Sequence, residues 1–145
     1  MPPLPPLSLL PPVLFLAVAT LSMLTPGRRP GRLPRMAEAT TLAGLALSAL
    51  AAVQLVSSGP QTLSFGAGPA VLAFRLDAVS VTMAVLVSFV GWIVVRYSRS
   101  YLDGEAQEAR FHGLMMASLA GVLVLVQAES LGVLVLAFIA VGLAL

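Results

Sequence analysis

Five long stretches of this chain carry no Asp, Glu, Arg or Lys: residues 13–25, 39–56, 78–95, 111–128 and 131–145. A helix at a water-facing surface places charge on its wet face every turn or two, so runs that omit it are built for hydrocarbon. The pattern predicts membrane spans at about 7–25, 37–56, 78–96, 111–128 and 131–145. The last run stops after 15 residues with no polar closure. A helix ending inside hydrocarbon leaves carbonyls unsatisfied, so the sequence reads as the N-terminal five-helix part of a larger transmembrane bundle, with the fifth span truncated. Pro11 and Pro12 fit a first helical turn, where a missing amide matters least. Positive charge follows the first run rather than preceding it, which favours an uncleaved helix over a cleaved signal peptide.

Small residues recur at helical spacing within the spans. Gly44, Ser48 and Ala52 share one face, Ser80, Ala84 and Ser88 another, and Gly113, Ala117 and Gly121 a third. Such stripes let helices approach closely, and ordinary bundle packing accounts for them. Residues 57–76 mix turn signals with short apolar pieces and read as an external loop or a small hairpin. Asp77 then suits a helix N-cap, with Arg75 as an interfacial partner. Trp92, Arg96, Tyr97, Arg99 and Tyr101 close the third span as an interfacial anchor. His112, in the first turn of the fourth span, has two readings: a proton relay, or a hydrated or hydrogen-bonded interfacial imidazole, the second being the simpler.

Composition agrees with an all-α integral membrane protein: 59% of residues are hydrophobic, 10% are charged, and the mean hydropathy is +1.00. With no cysteine and one histidine, disulfides, thiolate chemistry and a metal site are excluded, and nothing calls for a cofactor. The net charge of +2 comes from eight arginines. Four of them lie in Arg28–Arg35, a breaker-rich loop. In a membrane protein this cluster sets topology rather than nucleic-acid binding: the loop faces the cytoplasm and the N-terminus lies outside an inner (plasma) membrane. Every Asp, Glu and Arg falls in a loop or at a predicted helix end. No proton wire, ion cage, nucleotide loop or nucleophile motif, and hence no catalytic residue, is apparent.

The order of polar markers in the second half resembles the antiporter-like membrane subunits of respiratory complex I, chain 5 (the L subunit), and their Mrp-type relatives. Phe74, Asp77 and Ser80 match the start of the family's third helix. Tyr97, Ser98 and Tyr101 match its exit, and Arg110 with Phe111 the entry to the fourth. The resemblance covers Phe74 to Leu145, and these positions are structural or interfacial. It also implies a fifth-helix Trp-Glu pair whose glutamate takes part in proton movement. Here Phe138 and Ile139 stand instead, and isoleucine cannot carry a proton. The ending is closer to the DabB-type relatives, which pair with a zinc-containing, carbonic-anhydrase-like DabA-type partner to accumulate inorganic carbon.

Three functions follow from the resemblance. The first is a cation-coupled membrane subunit that energises bicarbonate accumulation by a DabA-type protein. The second is a proton-translocating L-type subunit of an NADH-quinone oxidoreductase, partnered by the other complex I subunits. The third is a non-transporting membrane scaffold, consistent with charges outside the spans.

Overall fold

A computed structural model describes residues 7–24, 32–66, 68, 71–103 and 107–145. A 3₁₀ turn, Leu7–Leu9, leads into α1 (Leu10–Leu24), followed by α2 (Leu33–Ser58). A hairpin of β1 (Gln61–Phe65) and β2 (Leu72–Leu76) comes next, then α3 (Ala78–Tyr101), α4 (Glu108–Gln127) and α5 (Leu131–Ala144). The all-α membrane bundle read from the hydropathy is the fold, with the hairpin as its one β element among the described residues. Four helices, Leu7–Leu24, Leu33–Ser58, Ala78–Tyr101 and Glu108–Gln127, are long and apolar enough to cross a bilayer. Helix α5 has 14 residues, about 21 Å at 1.5 Å per residue.

Local chemistry sets the ends of these helices. Pro11 and Pro12 occupy the first turn of α1, and Pro34 that of α2. Helix α2 stops at Gly59, whose φ of 74° few other residues adopt; its N–H bonds Leu55 O, and Pro60 follows. Helix α3 opens with a capping box: Ser80 N donates to Asp77 Oδ1 at 2.8 Å, and Asp77 N donates to Ser80 Oγ at 2.8 Å. Ser130 caps α5, accepting from Val133 N at 3.4 Å.

The helix bounds differ from the hydropathy reading most at the starts of α2 and α4. Helix α2 begins at Leu33, so Arg35 and Glu38 lie inside it, and the basic connection is shorter than Arg28–Arg35. Propensity and the proline at the first turn extend the helix beyond its apolar run. Residues 28–31 of that predicted loop fall outside the described residues. The region read as an external loop holds the last turn of α2 and the hairpin, paired in the register Gln61↔Leu76, Leu63↔Phe74 and Phe65↔Leu72.

Successive helices run antiparallel. Phe15, Val18 and Ala19 of α1 meet Ala37 of α2, Ala84 and Val95 of α3, and Met116, Ala120 and Leu123 of α4 in one core. A smaller cluster of Ala51, Leu76 and Val81 joins the hairpin to α2 and α3. Because lipid tails are as apolar as leucine, close packing rather than water exclusion joins such helices. Small residues make that approach possible. The Phe15 ring lies over Gly44, Leu119 over Gly91, and Val141 over Gly121, each within 3 Å of where a Cβ would stand. Ser48 Oγ and Ser88 Oγ, both buried, lie 3.2 Å apart between α2 and α3. The α4–α5 turn pins the hairpin, with Glu129 N donating to Ala73 O at 2.9 Å and Ala73 N donating to Ser130 Oγ at 3.3 Å.

Candidate functional site at the arginine-rich end

The eight marker residues divide between the two ends of α3, roughly 36 Å apart for 24 helical residues. At the hairpin end, Phe74 packs edge-on against Phe65, with ring centroids 6.4 Å apart. Arg75 Nε lies 3.3 Å from Asp77 Oδ2. Hydrogen bonding from the Ser80 backbone holds the Asp77 carboxyl below its ordinary value of 3.8, helped by the Ser80 side chain and the Arg75 charge; partial burial opposes this. This group of residues starts a helix.

At the other end, the Tyr97 and Tyr101 rings stack 6.0 Å apart, while Ser98 is buried on the inner face of α3. Tyr101, on α3, and Arg110 and Phe111, on α4, line a cleft of about 790 Å³ together with Glu108. Five described arginines, Arg32, Arg35, Arg96, Arg99 and Arg110, crowd this end against Glu38, Asp103 and Glu108. Arg99 Nη1 donates to Glu38 Oε2, tying α3 to α2. Glu38 is therefore a half-buried carboxylate within a helix, which corrects its placement at a predicted helix end. The apolar run starts at Ala39, but the helix starts six residues earlier.

His112 is hydrogen-bonded, in line with the simpler of its two readings, but it lies deeper in the helix than the sequence suggested. Helix α4 begins at Glu108, so His112 lies in its second turn. Its side chain is wholly buried rather than hydrated at an interface. Nδ1 is 2.9 Å from Glu108 O. A carbonyl oxygen only accepts, so Nδ1 carries the proton, and in the neutral ring Nε2 presents a lone pair. Nε2 has no partner, and neither do the hydroxyls of Ser8, in the 3₁₀ turn, and Ser22, on α1. Gly113 brings α1 close to this level: a Cβ there would stand 3.3 Å from both Ser22 Cβ and Ala19 O. The arrangement offers a buried imidazole nitrogen with a free lone pair at the level of the Ser22 hydroxyl on α1. The signal lay in the spacing of His112, Met116, Ala120, Leu123 and Gln127, which form one buried face of α4.

Ile139, where the resemblance implies a glutamate, lies on α5 and is 51% exposed, with Phe138 beside it at 70%. This part of α5 faces away from the α4 contact made through Val133 and Ala137, which are buried.

The polar markers thus lie, in this order, along β2, the two ends of α3 and the first turn of α4. Residues 63–112 match the family model described as NADH-Ubiquinone oxidoreductase (complex I), chain 5 N-terminus. The chain is also 37% identical over 110 residues to the "Probable inorganic carbon transporter subunit DabB2" of Halothiobacillus neapolitanus. That alignment takes in 71% of this chain and 20% of the relative, so the chain spans about a fifth of that protein's length. Both matches support an antiporter-like membrane subunit with a DabB-type relationship.

Proposed function

We propose that this chain forms part of a membrane subunit that couples a cation gradient to the accumulation of inorganic carbon, working with a zinc-bearing, DabA-type partner. The observation that carries this reading is the 37% identity to a relative named as an inorganic carbon transporter subunit. Ile139 supports it, because a proton-relaying carboxylate expected of complex I subunits is replaced by an alkyl side chain. The chain 5 family match favours one second reading, an L-type subunit of an NADH-quinone oxidoreductase, which must work without that carboxylate.

Within this stretch, His112 is the group we assign to proton uptake, since its Nε2 is the one side-chain nitrogen, among the described residues, that is buried without a partner. The marker residues Phe74, Asp77, Ser80, Tyr97, Ser98, Tyr101, Arg110 and Phe111 act as structural and interfacial anchors. The arginine-rich end faces the cytoplasm of the inner membrane, and the hairpin faces outward as part of one membrane domain. The chain has no cysteine, so a single cysteine reports on this directly. Placed at Gly31, it is protected from an impermeant thiol reagent in intact cells; labelling from outside inverts the orientation. Uptake of labelled bicarbonate by cells co-expressing the full-length protein with its partner tests the function. Accumulation that a protonophore or sodium ionophore collapses supports it, and accumulation unchanged by deleting the subunit refutes it.

A further inference from the structure

The two faces of α3 differ in chemistry at its C-terminal end. The inner face presents Val95 and Ser98 to the bundle. The outer face carries Trp92, Ile93, Arg96, Tyr97 and Ser100, which line a shallow cleft of about 420 Å³. Arg96 lies over the indole, its Cζ 5.5 Å from the Trp92 ring centroid, a contact that steadies the guanidinium while leaving its donors free. Among the described residues the ion pairs are Arg75–Asp77 and Arg99–Glu38. Arg96 thus enters no carboxylate ion pair there, and it sits at the end of a helix long enough to cross a bilayer. The cleft therefore combines an apolar floor, Trp92 and Ile93, with a cationic and hydroxylic rim of Arg96, Ser100 and Tyr97.

We propose that this cleft binds one anionic phospholipid. The phosphate meets Arg96 and the Ser100 hydroxyl, and an acyl chain runs along Ile93, Trp92 and Phe89. Phe89 packs next to Trp92 with centroids 6.4 Å apart and is itself exposed. A soluble anion would make no use of the apolar floor. A zwitterionic headgroup would bring its own cation to an arginine-rich end, so charge complementarity selects a net-negative lipid. The opposing groups sit in the adjoining cleft, where Glu38, Arg99 and Asp103 join Arg96 and Ser100. Glu38 is neutralised by Arg99, which leaves Asp103 as the charge that weakens the site.

Trp92 is the single tryptophan of the chain, so its fluorescence reports on what lies against it. The chain is reconstituted in phosphatidylcholine vesicles containing a minor fraction of lipid brominated on its acyl chains, as either phosphatidylglycerol or phosphatidylcholine. Brominated phosphatidylglycerol is expected to occupy the cleft about fivefold more than brominated phosphatidylcholine at equal fraction, the enrichment one arginine supplies. Arg96→Gln removes the preference, Arg96→Lys keeps part of it, and Asp103→Asn strengthens it. Arg35→Gln removes the same charge from the same end but leaves the preference intact, and excess inorganic phosphate does not reverse the quenching. Equal quenching by both lipids in the unsubstituted chain overturns the proposal. So does a preference that survives Arg96→Gln, one that Arg35→Gln abolishes equally, or one that phosphate displaces.

Discussion

Arg99 and Glu38, 61 residues apart in sequence, form a hydrogen-bonded ion pair that joins α3 to α2 at the arginine-rich end. Their side chains are 40% and 20% exposed, so water screens part of the attraction and the pair is worth about 1 kcal/mol. Glu38→Gln and Arg99→Gln should each cost about that much, and the double variant little more. A double-mutant cycle on chemical unfolding of the reconstituted protein reads the coupling. Strictly additive losses would show that the two residues act separately.

Asp77 should make the start of α3 sensitive to acid. Its folded value is lowered by hydrogen bonding from Ser80, so its contribution is complete above the ordinary value of 3.8 and is lost as pH falls through the folded value. Asp77→Ala should destabilise the protein by about 1 kcal/mol at neutral pH and flatten the acid limb. Asp77→Asn, which still caps, should flatten that limb while losing less at neutral pH. Unfolding measured from pH 7 to about pH 3 separates the two effects, and an unchanged acid limb in Asp77→Ala would contradict the assignment.

Glycines on opposite sides of the bundle should respond oppositely to alanine. A methyl at Gly44 would stand 2.5 Å from Phe15 Cζ, whereas one at Gly132 or Gly142 meets nothing within 4 Å. Gly44→Ala is expected to cost about 1–3 kcal/mol through overpacking, and Phe15→Leu should relieve part of it. Gly142→Ala should be neutral or slightly stabilising. Thermal unfolding of the purified variants is the check.

Replacing His112 distinguishes a packing residue from a working one. His112→Leu removes an unpartnered buried nitrogen at similar volume but also the Nδ1–H bond to Glu108 O, so stability should change by no more than about 1 kcal/mol. Under the proposed proton-uptake role, bicarbonate accumulation should nonetheless fall at least about tenfold, equivalent to 1.4 kcal/mol. Undiminished accumulation in a stable variant would leave His112 as core filling only.

The all-α class and the helix starts at Pro11 and Asp77 were legible because each rests on local chemistry: charge omission, a proline turn, a capping side chain. The helical setting of Glu38 and the depth of His112 were missed for one shared reason. Hydropathy marks where lipid begins, but hydrogen bonding marks where a helix begins, and α2 and α4 each start before their apolar run. The α2–α3 seam could be anticipated in part from Gly44 and Ser48. That Ser48 meets Ser88, that Arg99 meets Glu38, and that β2 is pinned by Ser130 depend on tertiary register. Periodicity within one helix does not encode that register. The cleft shared by Tyr101, Arg110 and Phe111 was hidden likewise, since two turns of sequence separate its walls.

The most direct test of the central claim is which partner the full-length protein brings down when it is purified gently from its native membrane. The account predicts a zinc-bearing protein recovered in stoichiometric amount, with the metal detected in the co-purified fraction. Recovery of a peripheral NADH-oxidising arm in its place would contradict it and favour the L-type reading.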